Sequence, residues 1–248
     1  MPDPTLKRPR LLVVVAHPDD ESFGCGSVIA EAVARGHTVE VCCASLGEEG
    51  EVAADYDLAG RSLADVRCDE LLAAADVLGA AVLPPLGLHD SGWDGPPAPD
   101  SICGLDAADL AGRVATVLAG RDPDAVLTLA GDDGHRDHRR LGEAVTAAIT
   151  AHSRPDVRLY RWCLPNDLMR RWAKEMTELR PETAHLALGL AELGTLADHV
   201  TTILDASTHV ALRWRAIAAH ASQTSPYEGL SPELADAFLS SDHLIRVR

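Results

Sequence analysis

Leu11-Leu12-Val13-Val14-Val15 is an unbroken apolar run of strand length, and it constrains the fold more than any other part of the chain. Successive residues of a strand point to opposite faces of its sheet, so a half-buried strand alternates polar and apolar side chains. A strand that is apolar throughout has both faces covered, as an inner strand of a parallel sheet does when helices pack on both sides. Ala125-Val126-Leu127-Thr128-Leu129 is a second run of this kind. Around the two runs the pattern turns helical. Gly24–Ala34 reads as a helix stopped at Arg35-Gly36, His37–Ala44 as the next strand, and Leu58–Leu78 as a helix carrying Leu63, Val66, Leu71, Ala74, Ala75 and Leu78 on its apolar positions. Ala81–Leu83 is a short strand, Leu105–Leu118 a helix, His135–His152 a helix and Val157–Cys163 a strand. This alternation predicts an α/β fold with a Rossmann-like doubly wound, mostly parallel sheet.

The 248 residues fit a single domain. Residues 1–9, with three prolines, read as a loose leader, and 164–248 as a less regular α+β extension. Within the extension we expect helices at 167–178 and 207–221 and strands near 184–190 and 243–247. Hydrophobic residues make up 46% of the chain but aromatics only 4%, so Leu, Val and Ala must build the core. A net charge of −16 argues against nucleic acid and anionic membranes as partners, because binding phosphates takes a basic footprint. The six cysteines show no CxxC spacing and read as free thiols of a reducing cytoplasm. No stretch has the form of a signal peptide or the length of a membrane span, which again points to the cytoplasm.

Two acidic-histidine clusters carry the chemistry. Ala16-His17-Pro18-Asp19-Asp20-Glu21 follows the first apolar run, and His135-Arg136-Asp137-His138 follows the second. Both fall at the carboxyl ends of expected parallel strands, where open α/β sheets bind ligands. An Asp before a helix caps it well, which would account for one carboxylate but not for adjacent carboxylates beside a histidine. Crowded carboxylates repel one another unless a cation offsets them. A hydrolytic metal site needs imidazole and carboxylate ligands, a spare carboxylate as base and a further imidazole. Gly24-Cys25-Gly26 lacks the third glycine of a dinucleotide fingerprint, and neither a G-x-S-x-G elbow nor a phosphate-binding P-loop occurs.

The clusters together resemble the PIG-L/LmbE-like family of zinc-dependent N-acetylglucosaminyl de-N-acetylases, and in particular its mycothiol-pathway members. Gly47-Glu48-Glu49-Gly50-Glu51, Arg67-Cys68-Asp69-Glu70-Leu71, Asp90-Ser91-Gly92 and Ala219-His220-Ala221-Ser222-Gln223 are similar to further family segments. The resemblance implies that His17, Asp20 and His138 hold Zn²⁺, with Fe²⁺ as the alternative. It implies Asp19 as general base, His135 as the imidazole facing the carbonyl, protonated and oriented by Asp137, and Glu51, Arg67 and Asp90 as substrate contacts. The substrate would be a small N-acyl amino sugar or glycoside. Trp93 is a candidate to stack on a sugar face, and His220 and Gln223 to buttress the site. Asp133 stands where the mycothiol-pathway members carry a tyrosine. A thiol-conjugate amidase and a metal-stabilised binding protein without turnover are the other readings, and homo-oligomerisation is left open. The acidic rim of Glu48, Glu49, Glu51, Asp90, Asp94, Asp132 and Asp133 predicts a preference for neutral or cationic substrates over phosphorylated ones.

Overall fold

The computed structural model describes residues 8–151, 154–189 and 193–248. Most of the expected leader, the end of the expected helix at His152, and residue 190 of the expected strand therefore lie outside the described residues. The chain begins with β1 (Arg10–Val15), the single turn α1 (Asp20–Phe23), α2 (Gly26–Ala34) and β2 (Thr38–Cys43). A long loop leads to α3 (Leu63–Leu78) and β3 (Ala81–Val82), and a second to α4 (Ala107–Arg121), β4 (Ala125–Leu129), α5 (Arg136–Ala151) and β5 (Arg158–Cys163). Then come α6 (Asn166–Leu179), β6 (Thr202–Asp205), α7 (Val210–Ile217), α8 (Pro232–Leu239) and β7 (Ser241–Arg246).

These strands form one seven-stranded sheet in the order β3-β2-β1-β4-β5-β7-β6. The first five run parallel to one another, whereas β7 is antiparallel to both β5 and β6. Chain order reverses between β1 and β4, so the two loops that leave these strands open a crevice at their carboxyl ends.

The apolar run of β1 divides as its uniform composition demands. Leu12, Val14 and Ala16 pack into one core with Leu110, Val114 and Leu118 of α4 and Leu141 and Val145 of α5. Leu11, Val13 and Val15 pack into the other with Ile29 of α2, Leu71 and Leu78 of α3 and Ala216 of α7. Each fully buried Val or Leu contributes about 1.5–3 kcal/mol, so both faces of this strand hold the layers together. A third core joins Leu168, Trp172 and Met176 of α6 to Leu234 and Phe238 of α8.

Local capping trims the expected elements. α3 starts at Leu63 rather than Leu58 because the Ser62 hydroxyl accepts the Asp65 N–H at 3.1 Å, and it ends at Gly79, whose φ of 77° suits glycine. The strand expected near 184–190 is instead a 3₁₀ turn at Ala184–Ala187, closed by local bonds such as Leu186 N–H to Thr183 O at 2.9 Å. Its alternating apolar residues, Leu186 and Leu188, pack on the third core rather than on a neighbouring strand. The helix expected over 207–221 is shorter: a 3₁₀ turn at Ser207–His209 leads into α7, which stops at Ile217. β6 and α8 were not anticipated.

Arg213 of α7 is fully buried and ties the extension to the first cluster. Its guanidinium donates to the carbonyls of Ser22 (3.2 Å), Phe23 (2.5 Å) and Gly24 (3.0 Å) and to Asp242 of β7 (3.0 Å). The Trp162 indole N–H also donates to Asp242, at 3.0 Å. No helix is long and apolar enough to cross a membrane among the described residues.

Candidate active site

The end of β1 turns the first cluster into the crevice. Asp20 Oδ2 accepts the N–H groups of Ala16 (3.1 Å) and His17 (2.9 Å), which pins the carboxylate over the strand end and leaves Oδ1 facing His138. Asp19 has a φ of 113°, a left-handed conformation that costs a non-glycine residue roughly 1–3 kcal/mol and that clusters at functional sites. Neighbours hold it there. Its N–H donates to Glu21 Oε2 at 2.9 Å, and its carbonyl accepts the N–H groups of Ser22 (2.9 Å) and Phe23 (2.7 Å). Its carboxylate accepts from Arg67 at 2.9 Å, and Arg67 also donates to the carbonyls of Gly47 (2.8 Å) and Pro18.

The carboxyl-terminal signature braces this turn from behind. His220 Nε2 lies 2.7 Å from Glu21 Oε1, with both side chains fully buried. Ser222 donates its N–H and hydroxyl to Glu70, each at 2.7 Å.

The second cluster spans the end of the loop that follows β4 (His135) and the first turn of α5 (Arg136–His138), and in that loop Gly131 (φ 71°) and Gly134 (φ 89°) bracket Asp132 and Asp133. Asp132 anchors the loop by accepting the Leu164 N–H at 2.9 Å and the Thr195 hydroxyl at 2.5 Å. Asp133 Oδ1 accepts the His135 N–H at 3.0 Å, and Oδ2 lies 2.5 Å from His138 Nδ1. Arg136 donates to the carbonyls of Ser91, Gly92, Asp94 and Gly95, fixing the loop that carries Asp90 and Trp93.

His17, Asp19, Asp20, Arg67, Asp90, His135, Asp137 and His138 thus converge on one crevice. His138 Nε2 is 3.2 Å from Asp20 Oδ1, and His17 Nε2 is 3.4 Å from Asp90 and 3.3 Å from Asp137. Ligand nitrogens of His17, His135 and His138 lie within 4.8 Å of one another, as do donor atoms of His17, Asp90 and Asp137. Glu51 stands apart: it is exposed and makes no side-chain hydrogen bond or ion pair among the described residues.

Asp137 sits differently from the sequence expectation. Its carboxylate meets His17 Nε2, the Ser91 N–H (2.9 Å) and Cys103 Sγ (3.0 Å), while its contact with His135 runs from its own backbone N–H to His135 Nδ1 at 3.2 Å. A neutral His135 with Nδ1 accepting carries its proton on Nε2. Burial and the charges of His138 and His17 push the His135 pKa down to about 3, which favours the neutral ring.

Electrostatics set the remaining groups apart. Burial and the charge of Asp20 raise the Asp19 pKa to about 6, against the opposing pull of Arg67, His220 and His17. Asp20 is lowered to about 2, because His138 and His17 outweigh its burial. His17 is raised to about 9: burial opposes its charge, but Asp137, Asp90 and Asp20 prevail. His138 is likewise raised despite burial, by Asp133 and Asp20. Burial would raise Asp90, Asp133 and Asp137, yet histidine contacts pull all three down.

This donor set fits a divalent cation. Four carboxylates, of Asp20, Asp90, Asp133 and Asp137, close on the imidazoles of His17 and His138, and their ion-pair partners among the described residues are these two imidazoles alone.

An aromatic wall flanks the crevice. The Trp93 ring centroid is 5.3 Å from that of His135 and 4.5 Å from that of His185, and His185 in turn contacts buried Trp172 at 5.8 Å. Sequence reasoning missed His185, Cys103, Glu21 and the grip of Asp133 on His138. Glu21 was visible inside the first cluster, and Asp133 beside the second, but His185 gave no signal.

The family model described as GlcNAc-PI de-N-acetylase, PIG-L, matches residues 12–149, the span that carries both clusters. The chain belongs to the PIG-L family. Among its PIG-L relatives, the 1D-myo-inositol 2-acetamido-2-deoxy-alpha-D-glucopyranoside deacetylase of Actinosynnema mirum is 34% identical, over 96% of this chain and 91% of that protein. The enzyme of the same name from Mycolicibacterium gilvum is 34% identical over 96% and 87%. Solved structures share the fold. The N,N'-diacetylchitobiose deacetylase of Pyrococcus horikoshii has a TM-score of 0.63 at 20% identity, covering 96% of this chain and 83% of that one. The 4-carboxy-2-hydroxymuconate hydratase GalB of Pseudomonas putida has a TM-score of 0.61 at 20% identity, covering 97% and 96%. A PIG-L-like fold therefore also serves a hydratase, and the chemistry must be argued from the site itself.

Proposed function

We propose that this protein is a metal-dependent hydrolase that removes the N-acetyl group from an N-acetylglucosaminide. One observation carries the reading: Asp19, half-buried and with its pKa raised to about 6, stands beside the Asp20–His138 pair without belonging to it. A protein that merely held a metal would not need this carboxylate. The deacetylase names of the relatives, with 34% identity across nearly the whole chain, support the amino-sugar substrate.

His17, Asp20 and His138 would hold the cation. When bound, a divalent zinc or iron supplies Lewis acidity, acidifying water and polarising an amide carbonyl. Asp19 accepts the proton of the attacking water, at a pKa suited to a general base near neutrality. Arg67 keeps the carboxylate in register, while the Glu21–His220 pair holds the backbone turn behind it. As the carbonyl oxygen gains charge, the Nε2–H of His135 donates to it, and one such donor is commonly worth ~3 kcal/mol. Asp19 then returns its proton to the amine nitrogen as the C–N bond breaks. Acetate and a free amine leave. Asp90 and Arg67 offer an acceptor and a donor for sugar hydroxyls, and Glu51 is placed to join them only if substrate reaches the loop after β2.

The test is acetate release from a panel holding N-acetylglucosaminyl-inositol, N,N'-diacetylchitobiose, a phosphorylated N-acetylglucosaminide and a thiol-conjugate amide. Release from a neutral glucosaminide, lost on chelation and restored by Zn²⁺ or Fe²⁺, is the expected result. Turnover of the thiol-conjugate amide alone would replace this reading with the amidase one.

A further inference from the structure

Asp133 makes contacts that the mechanism above leaves unused. Its carboxylate is clamped at both oxygens, Oδ1 by the His135 N–H at 3.0 Å and Oδ2 by His138 Nδ1 at 2.5 Å. Its loop is fixed by Asp132, which is bonded to Leu164 and Thr195, and by Gly134, where an added Cβ would collide with Leu188 Cδ1. Among the described residues no arginine or lysine pairs with Asp133, so its charge is directed at the His138 ring.

We propose that Asp133 is a positioning residue for the metal ligand His138, accepting a hydrogen bond from Nδ1–H and so fixing Nε2 as the nitrogen presented to the cation. The inference rests on the metal reading above. A neutral imidazole has one N–H and one lone pair, and the hydrogen bond made by one nitrogen decides which is which. With Nδ1–H on Asp133, the lone pair sits on Nε2, the atom that faces Asp20 Oδ1 at 3.2 Å. A carboxylate behind a ligand imidazole orients the ring and raises its basicity, and removing such a partner typically weakens metal binding 10–100-fold. Asp133 is not a substrate contact on this account: both oxygens are engaged, and a carboxylate has no proton to give a carbonyl.

The experiment is Zn²⁺ affinity, measured by competition with a chromophoric chelator, for the wild-type protein and for Asp133→Asn. The amide offers one acceptor oxygen and no charge, so it cannot satisfy both donors. We expect binding about 10–100-fold weaker in Asp133→Asn, with both metal-free proteins folded and melting cooperatively. Equal affinity in the two proteins overturns the proposal and leaves the deacetylase reading standing. Absence of Zn²⁺ binding by the wild type overturns both. Tight zinc binding that Asp133→Asn weakens, in a protein that hydrolyses none of the panel amides, upholds the proposal and refutes the deacetylase reading. Should the variant not fold, ¹⁵N–¹¹³Cd couplings in the wild-type protein decide the matter. Coupling to His138 Nε2 with Nδ1 protonated supports the assignment, and coupling to Nδ1 overturns it.

Discussion

Arg213→Met should destabilise the protein strongly, and the structure says by how much. Arg213 and Asp242 are both fully buried and lie 3.0 Å apart. Methionine fills much of the same volume but strands the Asp242 carboxylate, whose other partner is the Trp162 indole at 3.0 Å. Breaking one side of a buried pair costs about 3–5 kcal/mol, because a charge is left without compensation. For a chain of this length each kcal/mol lowers Tm by about 2–4 °C, so a fall of roughly 6–20 °C follows. Removing both partners, as in Arg213→Met with Asp242→Leu, eliminates the stranded charge. That double variant should be at least ~1 kcal/mol more stable than Arg213→Met alone, although the carbonyls of Ser22, Phe23 and Gly24 still lose their donor. Urea denaturation of the three proteins measures both quantities. A loss below ~1 kcal/mol for Arg213→Met, or a double variant less stable than the single one, would refute the reasoning.

Other predictions concern the crevice. His17→Ala or Asp20→Ala should lose metal and activity together; full metal content in both by elemental analysis would discard this ligand set. Asp19→Asn should retain metal yet lose ~10²–10⁴ in kcat, the usual worth of a general base. Because the base acts as a carboxylate held near pKa 6, wild-type kcat should fall as pH drops through about 6 and below, and a flat profile down to pH 5 would count against Asp19. Trp93→Ala should raise KM about 2- to 10-fold with kcat unchanged, the range expected for one lost ring contact, and an unaltered KM would remove Trp93 from the binding wall.

Local chemistry made much of this site legible in the sequence. The uniform apolar character of Leu11–Val15 revealed a strand covered on both faces, and the clusters after it and after Leu129 fell where strand order reverses. Partnerships set by the path of the chain were not legible. Asp137 has the spacing of a partner for His135, but the loop bearing Ser91 and Cys103 crosses above it and claims its carboxylate together with His17. Asp133 turns back onto His138 only because glycines on either side of the loop adopt positive φ. Thr202–Asp205 is too short and too exposed to show a strand pattern, and the alternation around Leu186 and Leu188 mimics one. Arg213 gives no sign in sequence that it will be buried, since its partners come from residues 22–27, 227 and 242.

The place of β7 between β5 and β6 has a consequence for how the protein is made. β6 leaves the ribosome first, yet among the described residues it pairs only with β7, so it has no strand partner there until residues 241–246 emerge. Throughout that interval β5 presents an open edge bearing Trp162, the kind of edge that recruits other strands. Docking of β7 closes this edge and, in the same event, delivers Asp242 to Arg213 behind the turn that carries Asp19 and Asp20. A nascent chain should therefore be a client for chaperones until β7 has emerged, and should complete the support behind Asp19 and Asp20 only then.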